Sequence, residues 1–265
     1  MKHFDSYKNL CTEFYDLDKP EAPPKELAFY LNYAKEAKGK ILEPMCGSGR
    51  FLIPIMEQDY HINGIDASSF MLDALRKKCE RKNLVPLLYE SLLQKAQLDH
   101  KYSLIIIPSG SFCLSNSPCQ FRCKKDTDES LHILFNALLP SGKFVFEVEM
   151  ENFRSKYETN YGIWRGRWVR KQDGSIIVLS TLPQYDKEAQ IETTICRYEL
   201  IQKNQTIQTE VEEVCLKFYK PGELDKILKK HGFGNIKKYK PYEFVEAEET
   251  DPTIIYECSK GDSFF

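Results

Sequence analysis

The sequence predicts an α/β protein: a doubly wound sheet of seven strands with an antiparallel β lid inserted after the fifth. Three observations lead there. The stretch KILEPMCGSGRFLIP, residues 40–54, runs from an apolar strand through a glycine turn into a helical pattern. A second short strand, YHINGIDA, follows one helix later and closes on Asp66. From about residue 163 the pattern becomes period-two alternation, and strand-and-helix alternation returns at Pro221.

Residues 4–19 are aromatic and acidic, and KPEAPPKE then makes a proline-rich turn. Leu27, Phe29, Tyr30, Leu31, Tyr33 and Ala34 give residues 26–37 helical spacing. Glu43 stands just before the turn Cys46-Gly47-Ser48-Gly49, and Arg50 follows it. Glycines let a ligand lie against the backbone where a side chain would block it. The helix that follows is expected to aim free N–H groups at that ligand. A dinucleotide GxGxxG needs glycine where Leu52 stands, which weakens that reading. A Walker loop needs Gly-Lys-Ser/Thr, and Gly49-Arg50-Phe51 excludes it. Asp66 ends the second strand beside the turn, where a carboxylate can accept from both ribose hydroxyls. Its plainer role is a cap on the helix at 68–81. In that helix Met71 either packs on an adenine or is core, and the basic group 76–82 is a solvated helix end.

Residues 85–90 give the third strand. Residues 102–108, YSLIIIP, are apolar almost throughout, as a central parallel strand buried on both faces requires. Pro108, Ser109, Gly110 and Ser111 then sit in the crevice at the carboxyl ends of the strands. A helix over 126–139 leads through Leu139-Pro140-Ser141-Gly142 into a fifth strand, 143–149, on which Glu147 and Glu149 share a face. The insertion has hairpin turns at Asp173-Gly174 and at Lys203-Asn204-Gln205. Its Trp164, Arg165, Arg167, Trp168, Tyr185 and Arg197 are candidate walls of a substrate site, the arginines suiting a carboxylate or phosphate. The plainer role for Arg165 and Arg167 is cross-strand pairing with Glu192 or Glu199. A helix over 223–231 and strands near 236–242 and 253–258 complete the large sheet.

Glu43, three residues, then Gly47-x-Gly49, with Asp66 in register, resembles motif I of the class I S-adenosylmethionine-dependent methyltransferases. The variant EPMCGSGR resembles a bacterial small-molecule-type subgroup. The resemblance covers about 37–149 and 221–265. It implies a doubly wound, seven-stranded Rossmann-like methyltransferase sheet, S-adenosylmethionine as cofactor, and methyl transfer to an N or O atom of a small molecule. It implies that Glu43, Cys46, Gly47, Ser48, Gly49 and Arg50 hold the cofactor together with Asp66 and Ala67. It further implies that the N-terminal segment folds over the cofactor through Tyr15, and that Met71, Leu92 and Leu93 border the adenine. Pro108 and Ser109 then lie beside the transferred methyl, with Ser111 and Glu149 toward the acceptor. The chain departs from the family at Met45, where a further glycine is usual, and at Leu92, where an acid usually accepts from the adenine amino group. Ser103 likewise replaces an acid early in the fourth strand. The alternative is a non-catalytic nucleoside-binding or scaffold protein on the same fold, which those departures suit. A catalytic residue is not assigned.

With 265 residues and 42% hydrophobic content, the chain holds one large α/β domain with an insertion. The expected divisions are 1–150, the N-terminal lid segment and first part of the cofactor-binding core; 151–219, the insertion; and 220–265, the closing helix and strands. A net charge of −2 gives no reason to expect nucleic acid as a partner. No apolar run approaches a membrane span, and the first ten residues lack a signal-peptide core. Nine cysteines without a pairing framework imply reduced thiols and a cytoplasmic location. Cys113, Cys119, Cys123 and His132 lack the CxxC spacing of a zinc site, so no metal is expected. The edges of the inserted sheet need cover, so a homodimer through it is a further expectation.

Overall fold

The structure, a computed structural model, describes residues 6–114, 125–151, 162 and 164–261. Along the chain run α1 (Asn9–Asp18), α2 (Pro24–Glu36), β1 (Ile41–Pro44), α3 (Leu52–Met56), β2 (Ile62–Asp66), α4 (Ser69–Arg81), β3 (Leu87–Glu90) and β4 (Tyr102–Ile107). Then come α5 (Lys125–Ala137), β5 (Leu138–Glu149), β6 (Arg165–Arg170), β7 (Ile176–Asp186), β8 (Ile191–Gln202), β9 (Gln205–Lys217), α6 (Glu223–Lys230), β10 (Phe233–Tyr239) and β11 (Thr253–Lys260).

The large sheet has seven strands in the order β10-β11-β5-β4-β1-β2-β3. The run from β3 to β5 is parallel, and β11 is antiparallel to both its neighbours. Strand order reverses between β1 and β4, which makes the crevice where such sheets bind ligands. Alternation divides the strand residues between two apolar layers. Leu42, Ile105, Ile107, Phe144 and Phe146 bury on one face; Ile41, Leu104, Ile106, Val145 and Ile255 bury on the other. Each buried side chain of this size contributes about 1.5–3 kcal/mol.

The second sheet is the expected insertion, four antiparallel strands in the order β6-β7-β8-β9. Its inner face packs on α1: Leu10, Cys11 and Phe14 meet Ile177, Leu179, Cys196 and Tyr198 in one apolar cluster. The first turn of α1 is capped from this sheet. The N–H groups of Tyr7 and Lys8 donate to the Glu212 carboxylate at 2.9 and 2.6 Å, and that of Leu10 to Glu210 at 2.8 Å. Helix α1 and the insertion are therefore one packed unit.

Four expectations need correction. The helix after the glycine turn is only five residues, α3. Leu52 begins it after a turn, and positive φ at Asp59 (63°) closes the chain reversal beyond it. The turn's N–H groups at Cys46, Gly47 and Gly49 are taken up within the protein, by the Ile65 carbonyl, Asp66 and the Cys46 carbonyl. The third strand starts at Leu87, because Val85 is 91% exposed beside Pro86. The Leu139–Gly142 turn is absorbed into β5 as a register shift against β4. Cys215 is disulfide-bonded, against the expectation of reduced thiols throughout. Cys11, Cys46, Cys79, Cys113, Cys196 and Cys258 are free. Cys119 and Cys123 lie outside the described residues, and among those described no cluster could hold a metal. No described helix is long and apolar enough to cross a membrane.

Candidate functional site

The glycine turn is stitched to β2. The Cys46 N–H donates to the Ile65 carbonyl at 3.0 Å, and the Gly47 N–H donates to Asp66 Oδ2 at 2.8 Å. Asp66 Oδ1 accepts from the Ser68 N–H at 2.9 Å. Burial raises the Asp66 carboxyl, and the N–H donors from Ser68, Gly47 and Ala67 hold it down. Each oxygen keeps a further lone pair.

The two glycines do different things. A Cβ on Gly49, at φ +86°, would meet Leu75 at 2.8 Å and Ile53 at 3.1 Å. A Cβ on Gly47, at φ +53°, would meet only Met71 Sδ at 3.9 Å. Gly49 is there for packing, whereas Gly47 leaves a cradle that is open above the backbone. The sequence alone points both at the ligand.

Two polar side chains flank that cradle. Glu43 is 3% exposed, and its Oε2 has no hydrogen-bond partner. Burial pushes its carboxyl up to about 8, against the pull of Arg50 and with a small push from Asp66. Arg50 donates from Nη2 to Ser109 Oγ at 2.5 Å, and its guanidinium lies 5.7 Å from the Tyr15 ring centroid and 5.1 Å from that of Phe51. Its Nε is buried without a partner. Ser109, at φ +57°, also donates to Glu26 Oε2 at 3.3 Å.

Helix α1 closes over the turn. Ser48 Oγ donates to Asp16 Oδ1 at 2.5 Å, and Lys78 Nζ does so at 2.9 Å. Ser68 Oγ donates to the Tyr7 carbonyl at 2.6 Å. Burial raises the Tyr15 phenol, opposed by Arg50 and reinforced by Glu43, Asp16 and Asp66, so its hydroxyl sits among those groups. Helix α1 thus lies against the turn, and Asp16 is a contact that the sequence did not single out. Met71 is buried core, with its N–H on the Ser68 cap. Leu93 is likewise core, while Leu92 is half-buried beside Ser91, whose N–H donates to the Asp66 carbonyl at 2.9 Å.

At the other side of the crevice, Pro108 is buried and Ser111 opens a short 3-10 turn. Glu147 and Glu149 share a face as expected. A Cβ on Gly110 would stand 3.6 Å from Glu149 Oε1 and 3.8 Å from Glu147 Oε1. Tyr242 donates its O–H to Glu147 Oε2. The sequence gave Tyr242 no role, and only the fold brings it across from the loop after β10.

The insertion residues divide by strand parity. Tyr185 and Glu192 pair on the inner face, Tyr185 donating to Glu151 at 3.4 Å. Arg165 and Arg167 share that face through their pairing with Thr181 and Leu179. Arg167 does not pair with Glu192 or Glu199, as cross-strand logic suggested. It reaches α1 instead, at 2.9 Å from Asp18 and over the Phe14 ring. Arg197 corrects a site expectation. It alternates with the buried Cys196 and Tyr198 and so faces outward, 5.1 Å from the Trp164 ring and 3.3 Å from Glu199. Trp164 and Trp168 are 48% and 62% exposed with it.

No family model matches the chain. Among curated proteins it is 25% identical over 134 residues to "Putative methyltransferase YqeM" of Bacillus subtilis (strain 168). That match spans 51% of this chain and 52% of the relative, about half of each. Among solved structures it is similar to an S-adenosylmethionine-dependent methyltransferase from Clostridium acetobutylicum ATCC 824, with TM-score 0.73 and 18% identity over 93% of this chain and 96% of that one. It is also similar to the sugar N-methyltransferase KedS8 from Streptoalloteichus sp ATCC 53650, with TM-score 0.70 and 13% identity over 94% and 93%. The fold is that of the class I methyltransferases.

Proposed function

We propose that the chain is a class I S-adenosylmethionine-dependent methyltransferase acting on an N or O atom of a small molecule. The observation that carries this is the pair of orphaned buried groups, Glu43 Oε2 and Arg50 Nε, around the open Gly47 cradle. An acid and a base without partners suit the ammonium and carboxylate of one amino-acid end. Asp66 stands at the next strand end to accept from a ribose. When bound, S-adenosylmethionine supplies an electrophilic methyl on a positively charged sulfur. The chain's part is then to orient that group and exclude water, which α1 and the inserted sheet are placed to do. Leu92 leaves the adenine to apolar and backbone contacts.

The non-catalytic alternative leaned on Met45 and Leu92. Met45 adopts φ +57°, the left-handed turn that a glycine would take there, so that departure no longer favours it. Calorimetry with S-adenosylmethionine, its demethylated product S-adenosylhomocysteine, and NAD tests the reading directly. The first two should bind, and binding of NAD alone would end it. Asp66→Ala should weaken cofactor binding by about 1–3 kcal/mol, and an unchanged Kd in the folded variant would end the ribose assignment.

A second copy is proposed to pair on the outer face of the insertion. Trp168 and Val211 are 62% and 53% exposed there, an apolar surface that a two-fold-related copy would cover. Trp168→Asp should convert a dimer to a monomer in light scattering. A monomeric parent protein removes the proposal.

A further inference from the structure

We propose, resting on the methyltransferase reading above, that α1 and the inserted sheet are one lid that leaves the cofactor turn as a single body, with Asp16 as its latch. The chemistry of two interfaces carries this. Helix α1 is joined to the inserted sheet by apolar burial. Its buried apolar residues, Leu10, Cys11 and Phe14, all lie in the cluster with Ile177, Leu179, Cys196 and Tyr198. That cluster holds no residue of the seven-stranded sheet. Around it stand the Glu212 and Glu210 caps and the edge contact of Phe14 with Tyr198 at 5.8 Å. Two ion pairs join the same two elements, Arg167 with Asp18 at 2.9 Å and Lys171 with Glu13 at 2.6 Å.

Toward the core, α1 and the residues leading into it are held by polar contacts. Asp16 Oδ1 accepts from Ser48 of the glycine turn and from Lys78 of α4. The Tyr7 carbonyl accepts from Ser68, and the Arg50 guanidinium lies against the Tyr15 ring. The Asp16 and Lys78 side chains are 30% and 28% exposed, so water competes for that pair. Burial of several apolar side chains outweighs a few contacts of this kind. The parting surface is therefore the one between α1 and the core, and α1 goes with the sheet.

Two tethers make that motion a hinge. One is residues 19–23 between α1 and α2, which carry Pro20 and Pro23 and are anchored to the core by the buried Ala22. The other is the root of the insertion. There Met150 bridges Tyr219, the Glu151 N–H donates to the Tyr219 carbonyl at 2.9 Å, and Tyr219 and Leu216 pack into the core of the large sheet. Between the tethers, Asp16 fastens on Ser48, which stands between the two glycines of the turn. The motion that frees the turn also carries away Arg165 and Tyr185 on the inner face of the insertion. The cofactor therefore enters before the acceptor's wall is assembled and leaves after that wall is withdrawn.

The experiment uses the full chain, with S-adenosylhomocysteine association and dissociation followed by surface plasmon resonance and amide hydrogen exchange measured without ligand. Asp16→Ala removes both latch bonds. Entry and exit each require the latch open, so both rate constants should rise by about tenfold while Kd changes far less. Lys78→Met breaks the latch from the core side and should move both rates in the same direction by a smaller factor. Faster dissociation with unchanged association would make Asp16 an ordinary cofactor contact and overturn the latch, as would unchanged rates in both variants. In either variant the amides of Tyr7, Lys8 and Leu10 should keep the protection they have in the parent, because Glu212 and Glu210 still hold them. Faster exchange at those amides means that α1 peels from the sheet, and overturns the single body. Failure of the parent to bind S-adenosylhomocysteine overturns the methyltransferase reading and the cofactor role of the lid with it, and the exchange measurement, which needs no ligand, keeps the two failures apart.

Discussion

Glu43→Gln is expected to stabilise the protein alone and to weaken its grip on S-adenosylmethionine. The Glu43 carboxyl is buried, has an oxygen without a partner, and is pushed up to about 8. In the unfolded chain it ionises near the ordinary value of about 4.3. Between those two values the folded protein holds a proton that the unfolded chain has released. Stability from this group is therefore complete at low pH and is lost as pH rises through that window, levelling above about 8. Gln removes the titration and keeps the shape. The variant should match the parent near pH 4 and exceed it at pH 8 by on the order of 1–3 kcal/mol, or several degrees in Tm. Cofactor binding reverses the sign. A ligand ammonium beside Glu43 favours the carboxylate, so binding at pH 7 should release a proton, visible as a buffer-dependent calorimetric heat. Glu43→Gln should abolish that release and cost about 1.5–3 kcal/mol of affinity. A variant less stable than its parent at pH 8, or binding without proton release in the parent, would contradict this account of Glu43.

How far the sequence carried depended on whether neighbours in space were neighbours in the chain. The strand, glycine turn and Asp66 were legible because each is a local pattern and the doubly wound topology fixes how they meet. The insertion was legible because alternation persists across β6 to β9. The cluster around Glu147 was not. Tyr242 and Glu26 approach it from positions 95 and 121 residues away in the chain, with only the tertiary fold to bring them together. The same holds for Glu212, whose capping of α1 spans 204 residues. Gly64 shows a different limit. It sits inside β2, where a Cβ would strike Cys46 at 2.7 Å, Leu52 at 2.8 Å and Leu88 at 2.9 Å. A strand pattern alone cannot say that a glycine is making room for three side chains from other elements. Arg197 shows a further limit. Period-two alternation tells which residues share a face, but not which face meets α1, and Arg197 falls on the outer one.

Gly49→Ala and Gly47→Ala should fail in opposite ways, although the two residues stand two apart in one turn. Both are in the left-handed region, at φ +86° and +53°, where an alanine is strained by about 1–2 kcal/mol. At Gly49 the new methyl also meets Leu75 at 2.8 Å and Ile53 at 3.1 Å. Both neighbours are buried, Leu75 at 0% and Ile53 at 6% exposure, so they have little room to yield, and overpacking adds about 1–3 kcal/mol. The expected loss is about 2–5 kcal/mol of folding stability, a large part of what a domain has. At Gly47 the new methyl meets only Met71 Sδ at 3.9 Å, ordinary contact. The fold should lose only the backbone strain, but the methyl would stand in the cradle between Glu43 and Asp66 where the ligand is proposed to lie. Denaturant melts and calorimetry on the two variants separate these effects. Gly49→Ala should show the larger drop in the urea midpoint, and whatever remains folded should still bind S-adenosylmethionine. Gly47→Ala should melt closer to the parent and bind at least about tenfold more weakly. If Gly47→Ala binds S-adenosylmethionine as the parent does, the cofactor does not lie against this turn, and the assignment of the whole crevice fails with it.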